Sequence, residues 1–106
     1  MITPEEAKNI VNKKYNLDTL ESIIDRKIRE NHGDYPWEEA LIDEELPLKI
    51  RDELAKRYIE GGWEYVYHNT SSENDERPGL TYFAFSMEPV KHMSNNNRYH
   101  SVIKHL

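Results

Sequence analysis

The chain has no cysteine, so disulfides, thiolate zinc sites, cysteine nucleophiles and thiol redox chemistry are all excluded. Glycine is scarce, four in 106 residues, and the one adjacent pair, Gly61-Gly62, is accompanied by neither a Walker-type Lys-Ser/Thr nor a dinucleotide fingerprint. Nucleotide hydrolysis through a phosphate-cradling loop is excluded with it. No apolar run approaches the length of a membrane span, and the opening Met-Ile-Thr-Pro-Glu-Glu has neither a basic n-region nor an apolar h-region. The expectation is a cytoplasmic protein without membrane contact. Apolar residues make up only 37% of the chain against 32% charged, which predicts a thin core under a charged surface, with oligomerisation as a further source of burial. At this length a single domain is expected.

What charge there is lies unevenly. The net charge of −6 disfavours general binding to nucleic-acid backbone, which is driven by Lys and Arg displacing counterions from phosphates. Six acids and no Lys or Arg fall between Asp34 and Glu45. Closely spaced carboxylates create a sustained negative field, so Glu38, Glu39, Asp43, Glu44 and Glu45 are candidate protein-interaction residues that could imitate phosphates or engage an arginine-rich groove. The plain alternative is a solvated surface. From Val90 to Leu106 the balance reverses, with Lys91, Arg98 and Lys104 and no acid.

The pattern predicts an α+β fold: two N-terminal helices, a third helix and a C-terminal antiparallel hairpin, with a possible short extra strand. Thr3-Pro4-Glu5-Glu6 supplies a capping hydroxyl, a proline for the first turn and a Glu three residues after the cap, opening a helix that runs to Lys14 or Tyr15. Asp18-Thr19-Leu20-Glu21 repeats that logic, Leu20, Ile23, Ile24 and Ile28 mark an apolar stripe, and Gly33 is the expected stop. Trp37 to Ile42 reads as a short edge strand or an irregular crossing segment. Pro47 opens the third helix, with Leu46, Ile50, Leu54 and Tyr58 in helical period, and Gly61-Gly62 ends it about Glu60. Trp63, Tyr65 and Tyr67 then alternate with Glu64, Val66 and His68, the period-two mark of a strand. Leu80 to Met87 is the second strand, pairing antiparallel with the first across the eleven-residue polar loop Asn69 to Gly79. Residues 1–89 are read as the domain and 90–106 as a polar, locally basic tail or a short docking helix.

The constellations that carry chemistry are few. His32, His68, His92, His100 and His105 contain no His-x-x-x-His spacing, so no metal site is predicted, and no cofactor is called for. Adjacent carboxylates such as Glu38 and Glu39 diverge on a strand or helix, which gives acid/base catalysis little support and leaves no catalytic residue to name. Asn69-Thr70-Ser71 matches a glycosylation sequon, inert without a secretory signal. The remaining cluster is aromatic: Trp63, Tyr65, Tyr67 and Tyr82 could stack a base, with His68 and Arg77 meeting an anion, and these six are the candidate ligand-binding residues. One strand face must meet the core, so either Tyr65 and Tyr67 or Val66 and His68 point away from it.

Two segments, Leu46-Pro47-Leu48-Lys49-Ile50-Arg51 followed by Gly61-Gly62-Trp63, and Arg77-Pro78-Gly79-Leu80-Thr81-Tyr82-Phe83-Ala84-Phe85-Ser86, resemble the second half of small phage-encoded α+β accessory proteins. The resemblance covers roughly residues 3–86 and brings no catalytic residues. It implies an accessory role in infection, in the host cytosol, by binding a host factor or sequestering a defence signal. The leading expectation is therefore a non-enzymatic protein that inhibits a host defence protein. The alternatives are an oligomeric sponge for a nucleotide-derived signal, and a small hydrolase of such a signal using His68 as base.

Overall fold

The computed structural model describes residues 1–6, 15–30, 36–71 and 79–104, and within them the chain adopts an α+β fold built on a four-stranded antiparallel sheet. In chain order the elements are helix α1 (Leu17–Glu30), strand β1 (Glu38–Ile42), helix α2 (Leu48–Glu60), strands β2 (Tyr65–Thr70) and β3 (Thr81–Ser86), the single-turn helix α3 (Lys91–Ser94) and strand β4 (His100–Ile103). The sheet order is β1-β3-β2-β4, so the aromatic hairpin lies in the middle and β1 and β4 are its edges.

Local chemistry explains most boundaries. The cap at Thr3 forms as expected, its Oγ1 accepting from the Glu6 N–H at 3.1 Å; the rest of that first helix, with Gly33, lies outside the described residues. For α1 the cap is Asn16, not Asp18: Asn16 Oδ1 accepts from the Thr19 N–H at 3.1 Å. Asp18 is thereby released to meet Arg57 of α2 at 2.7 Å, with Glu21 at 3.0 Å. The Tyr58 hydroxyl reaches Asp25 at 2.6 Å and the Glu21 carbonyl at 3.0 Å, so the two helices are joined along one seam. Burial, followed by the Asp25 bond, pushes the Tyr58 phenol pKa well above its usual value and keeps it a donor.

The exit of α2 differs in detail from expectation. Gly61 keeps a right-handed φ of −76°, and Gly62 takes the positive one at 122°. The Gly62 N–H then reaches the Ile59 carbonyl and the Trp63 N–H the Tyr58 carbonyl, the paired bonds of a Schellman ending. A side chain at 62 would be strained. Trp63 leaves this turn directly onto the core, 6.0 Å from Phe85, which Tyr58 also meets at 4.6 Å.

Register decides the faces. Val66 pairs with Phe85, His68 with Phe83 and Thr70 with Thr81, while Ala40 and Ile42 of β1 continue the same face across β3. These residues pack against Leu20 and Ile24 of α1 and Ile50, Leu54, Ala55 and Tyr58 of α2. Each large apolar side chain buried here contributes about 1.5–3 kcal/mol. Tyr65, Tyr67, Tyr82 and Ala84 point the other way.

That second face is also covered, which the sequence reading did not anticipate. After β3 the Ser86 hydroxyl donates to the Glu88 carbonyl at 2.6 Å, turning the chain back before Pro89. Residues 90–99 then cross the face, burying Tyr67 and Ala84 under Val90 and Met93. Asn96 turns the chain again, its Oδ1 accepting from the Arg98 N–H, and β4 pairs antiparallel with β2. The segment read as a tail or docking helix thus supplies a helical turn, a cover and an edge strand. The Tyr67 hydroxyl anchors it, 2.7 Å from Ser94 Oγ and accepting from the buried Val90 N–H at 3.1 Å. Replacing Tyr67 by Phe strands that N–H, and urea denaturation should show a loss of about 1–3 kcal/mol with the fold retained.

Candidate functional site

Among the described side chains with titratable chemistry, His68 is one of the most deeply placed. It projects from β2 toward α2 with no exposed surface, stacked on His100 of β4 at 5.4 Å and tilted against Phe83 at 5.8 Å. Arg51, itself 5% exposed, directs Nη1 to His68 Nδ1 at 3.3 Å and donates through Nε to the Leu46 carbonyl at 3.1 Å. On the other side His68 Nε2 lies 2.9 Å from Asp52 Oδ1. A guanidinium only donates, so Nδ1 must accept, and the proton sits on Nε2 and is donated to Asp52. Both ring nitrogens are therefore engaged by protein.

This geometry holds the imidazole neutral. Burial lowers the His68 pKa to about 4; the Asp52 bond opposes the shift and the Arg51 charge adds to it. The unfolded chain takes up a proton near pH 6.5 that the folded chain refuses until about pH 4. Stability should accordingly be full above pH 6.5 and fall progressively as pH drops through that window. Denaturation midpoints across the window, with ¹⁵N chemical shifts of the ring nitrogens, would show this; a neutral Nε2–H tautomer at pH 5.5 is the expected spectroscopic result.

The second face offers a different kind of site. Leu41, Tyr82 and Asn69 form a cross-strand row, paired Leu41 to Tyr82 and Tyr82 to Asn69, and Tyr99 stands next to the start of β4 with its ring 6.2 Å from Tyr82. With Ser71 and Leu80 they line a niche of about 250 Å³. The chain crossing over from β3 covers the neighbouring row, where Ala84 and Tyr67 lie, and Tyr82 and Tyr99 pack at the margin of that cover. Asn69 is only 3% exposed and lines the niche; among the described residues no buried side-chain nitrogen or oxygen lacks a partner, so what remains accessible of its amide reaches solvent in the niche. Burial first, then the Glu39 charge, raises the Tyr82 pKa well above the usual value.

A third surface lies beside this niche. Glu39 accepts from Trp37 Nε1 at 2.8 Å, and both Glu38 and Glu39 are half-buried on β1. Asp43, Glu44 and Glu45 are exposed in the turn that follows. Thr81 pins that turn, donating to the Glu44 carbonyl at 2.6 Å and accepting from the Leu46 N–H at 2.9 Å. Leu41 and Leu48, 44% and 43% exposed, flank the acids. The carboxylates also precede the N-terminus of α2, whose dipole they complement.

The sheet divides the residues that the sequence grouped. Trp63 and His68 belong to the helix-covered face, whereas Tyr65, Tyr67 and Tyr82 lie on the other; Arg77 is outside the described residues. Tyr65 and Tyr67 do stack, 6.3 Å apart and nearly parallel, but Tyr67 is fully buried by the returning chain. Arg51, Asp52, Asn69 and Tyr99 were missed. A signal existed for Arg51, which falls in phase with Leu54, Ala55 and Tyr58 on the buried stripe of α2. None existed for Asn69 and Tyr99, which meet only through strand register.

Among the described residues no group of three His, Asp or Glu side chains converges as a metal site, and no helix is long and apolar enough to cross a membrane. No protein-family model, curated protein or solved structure matches the chain.

Proposed function

We propose that the chain is a non-enzymatic binding protein that docks its acidic edge, strand β1 with the turn Asp43 to Glu45, on a basic surface of another protein. The observation that carries this reading is the placement of three exposed carboxylates beside an edge strand and two exposed leucines. Such a surface joins an apolar centre, which supplies affinity, to a charged border, which steers encounter and selects the partner. Thr81 holds the turn to the core, so little conformational freedom is lost on docking. The resemblance to phage accessory proteins supplies the setting: the partner is a host defence protein, and docking inhibits it in the host cytosol.

The competing readings draw less support. A hydrolase using His68 needs a ring nitrogen free to take a proton, and Arg51 and Asp52 engage both. A nucleotide sponge built from Tyr65, Tyr67, Tyr82 and His68 needs one ligand to meet both faces of the sheet.

Reversing Asp43, Glu44 and Glu45 to Lys tests the reading, because all three are exposed and their side chains hold no part of the core. The thermal midpoint should move little. Affinity for a host protein captured by the wild-type chain should fall tenfold or more, and capture by the wild type should weaken as salt is raised. Capture that is indifferent to both salt and charge reversal would overturn the assignment.

A further inference from the structure

We propose that the niche on the second face, floored by Leu41, Tyr82 and Asn69 and walled by Tyr99, is an anchor site for an arginine side chain of the docked partner. This inference rests on the acidic-edge reading and names the residue type that edge receives. Three features of the niche select a guanidinium.

The first is an amide. Asn69 is 3% exposed and lines the niche, and what remains accessible of its amide meets solvent there. An apolar occupant would strip solvent from this amide without replacing its hydrogen bond, so the niche favours an occupant that donates to Oδ1 over a purely apolar group. The second is shape. Tyr82 and Tyr99 present rings tilted at 65° to one another, with Leu41 and Leu80 as apolar lips. A planar cation lies flat against a tyrosine face while its N–H groups point outward from the stacked plane, which a guanidinium does and an ammonium does not. The third is charge. Glu39 lies on β1 two residues before Leu41 and on the same face, and the exposed Asp43 follows Leu41 by two residues at the end of β1. A phosphate-bearing ligand would enter against that field, whereas a cation enters with it.

The site is built by register. Leu41, Tyr82 and Asn69 come from three strands and meet because each is paired to the next. The chain that crosses from Val90 to Tyr99 packs on the row of Tyr67 and Ala84, and the niche lies on the next row of the same face. An interface anchor of this kind, an arginine seated in a partly desolvated pocket with a charged border, is where binding energy concentrates.

Titration of the ¹⁵N-labelled full chain with the peptide acetyl-Ser-Arg-Ser-amide, followed at the Asn69 side-chain NH₂ and at the Tyr82 and Tyr99 rings, tests the assignment. Saturable shifts at these groups are expected, with at least fivefold weaker responses to the lysine and citrulline versions of the peptide. Asn69→Leu should lower the arginine-peptide affinity about tenfold without moving the thermal midpoint; Tyr99→Leu makes the same test should Asn69→Leu fail to fold. Equal responses to the three peptides, or no saturable shift, overturn the proposal. The acidic edge fails separately. A partner released by the Asp43, Glu44 and Glu45 reversal but held at full strength by Asn69→Leu removes the niche and leaves the edge standing. Arginine-peptide binding without any charge-dependent partner does the reverse.

Discussion

Two-sided burial of the central hairpin is the constraint on which the structure depends. β2 and β3 carry Val66, Phe83 and Phe85 on one face and Tyr67 and Ala84 on the other, all without exposed surface. Leaving either face in water would forfeit several large side chains of transfer free energy. The helices α1 and α2 cover the first face. A sheet of four strands with one helical layer would ordinarily leave the second face solvated, with polar residues on it. Here the sequence is aromatic on that side, and the chain beyond Pro89 folds back to cover it.

The buried polar groups follow from the same arrangement. His68 alternates onto the helix-facing side because its neighbours Tyr67 and Asn69 face the other way, and there it must find partners or be left unsatisfied. Arg51 and Asp52, adjacent on α2, take its two nitrogens. The guanidinium is sequestered with it, its Nε tied to the Leu46 carbonyl, so one chain of contacts links the start of α2 to the middle of β2. The acidic turn that precedes α2 is held at the other end of that chain through Leu46 and Thr81. A surface presented for docking is thereby connected to the least exposed part of the molecule.

The α+β class, the course of α2, the edge strand near Trp37 and the antiparallel hairpin were legible in the residues, because each rests on local periodicity or on capping chemistry. What was not legible came from long-range pairing. Whether Tyr65 and Tyr67 or Val66 and His68 faced the helices is a matter of register, to which an alternating strand is blind. The polar stretch Ser94-Asn95-Asn96-Asn97 reads as disorder, yet its asparagines make the turns that bring Tyr99 and β4 back to the sheet. The candidate site suffered most, since grouping Trp63, His68 and the tyrosines by nearness in sequence places them together, and the pleat separates them.

The cover over Tyr67 has a consequence for how the protein is made. Synthesis runs from the N-terminus, so α1, β1, α2 and the hairpin all emerge before residues 90–103 do. During that interval the helices can close over one side of the nascent sheet while its other side, aromatic and unprotected, meets whatever is nearby. The final stretch is what closes that side, through Val90 and Met93 over Tyr67 and through the pairing of β4 with β2.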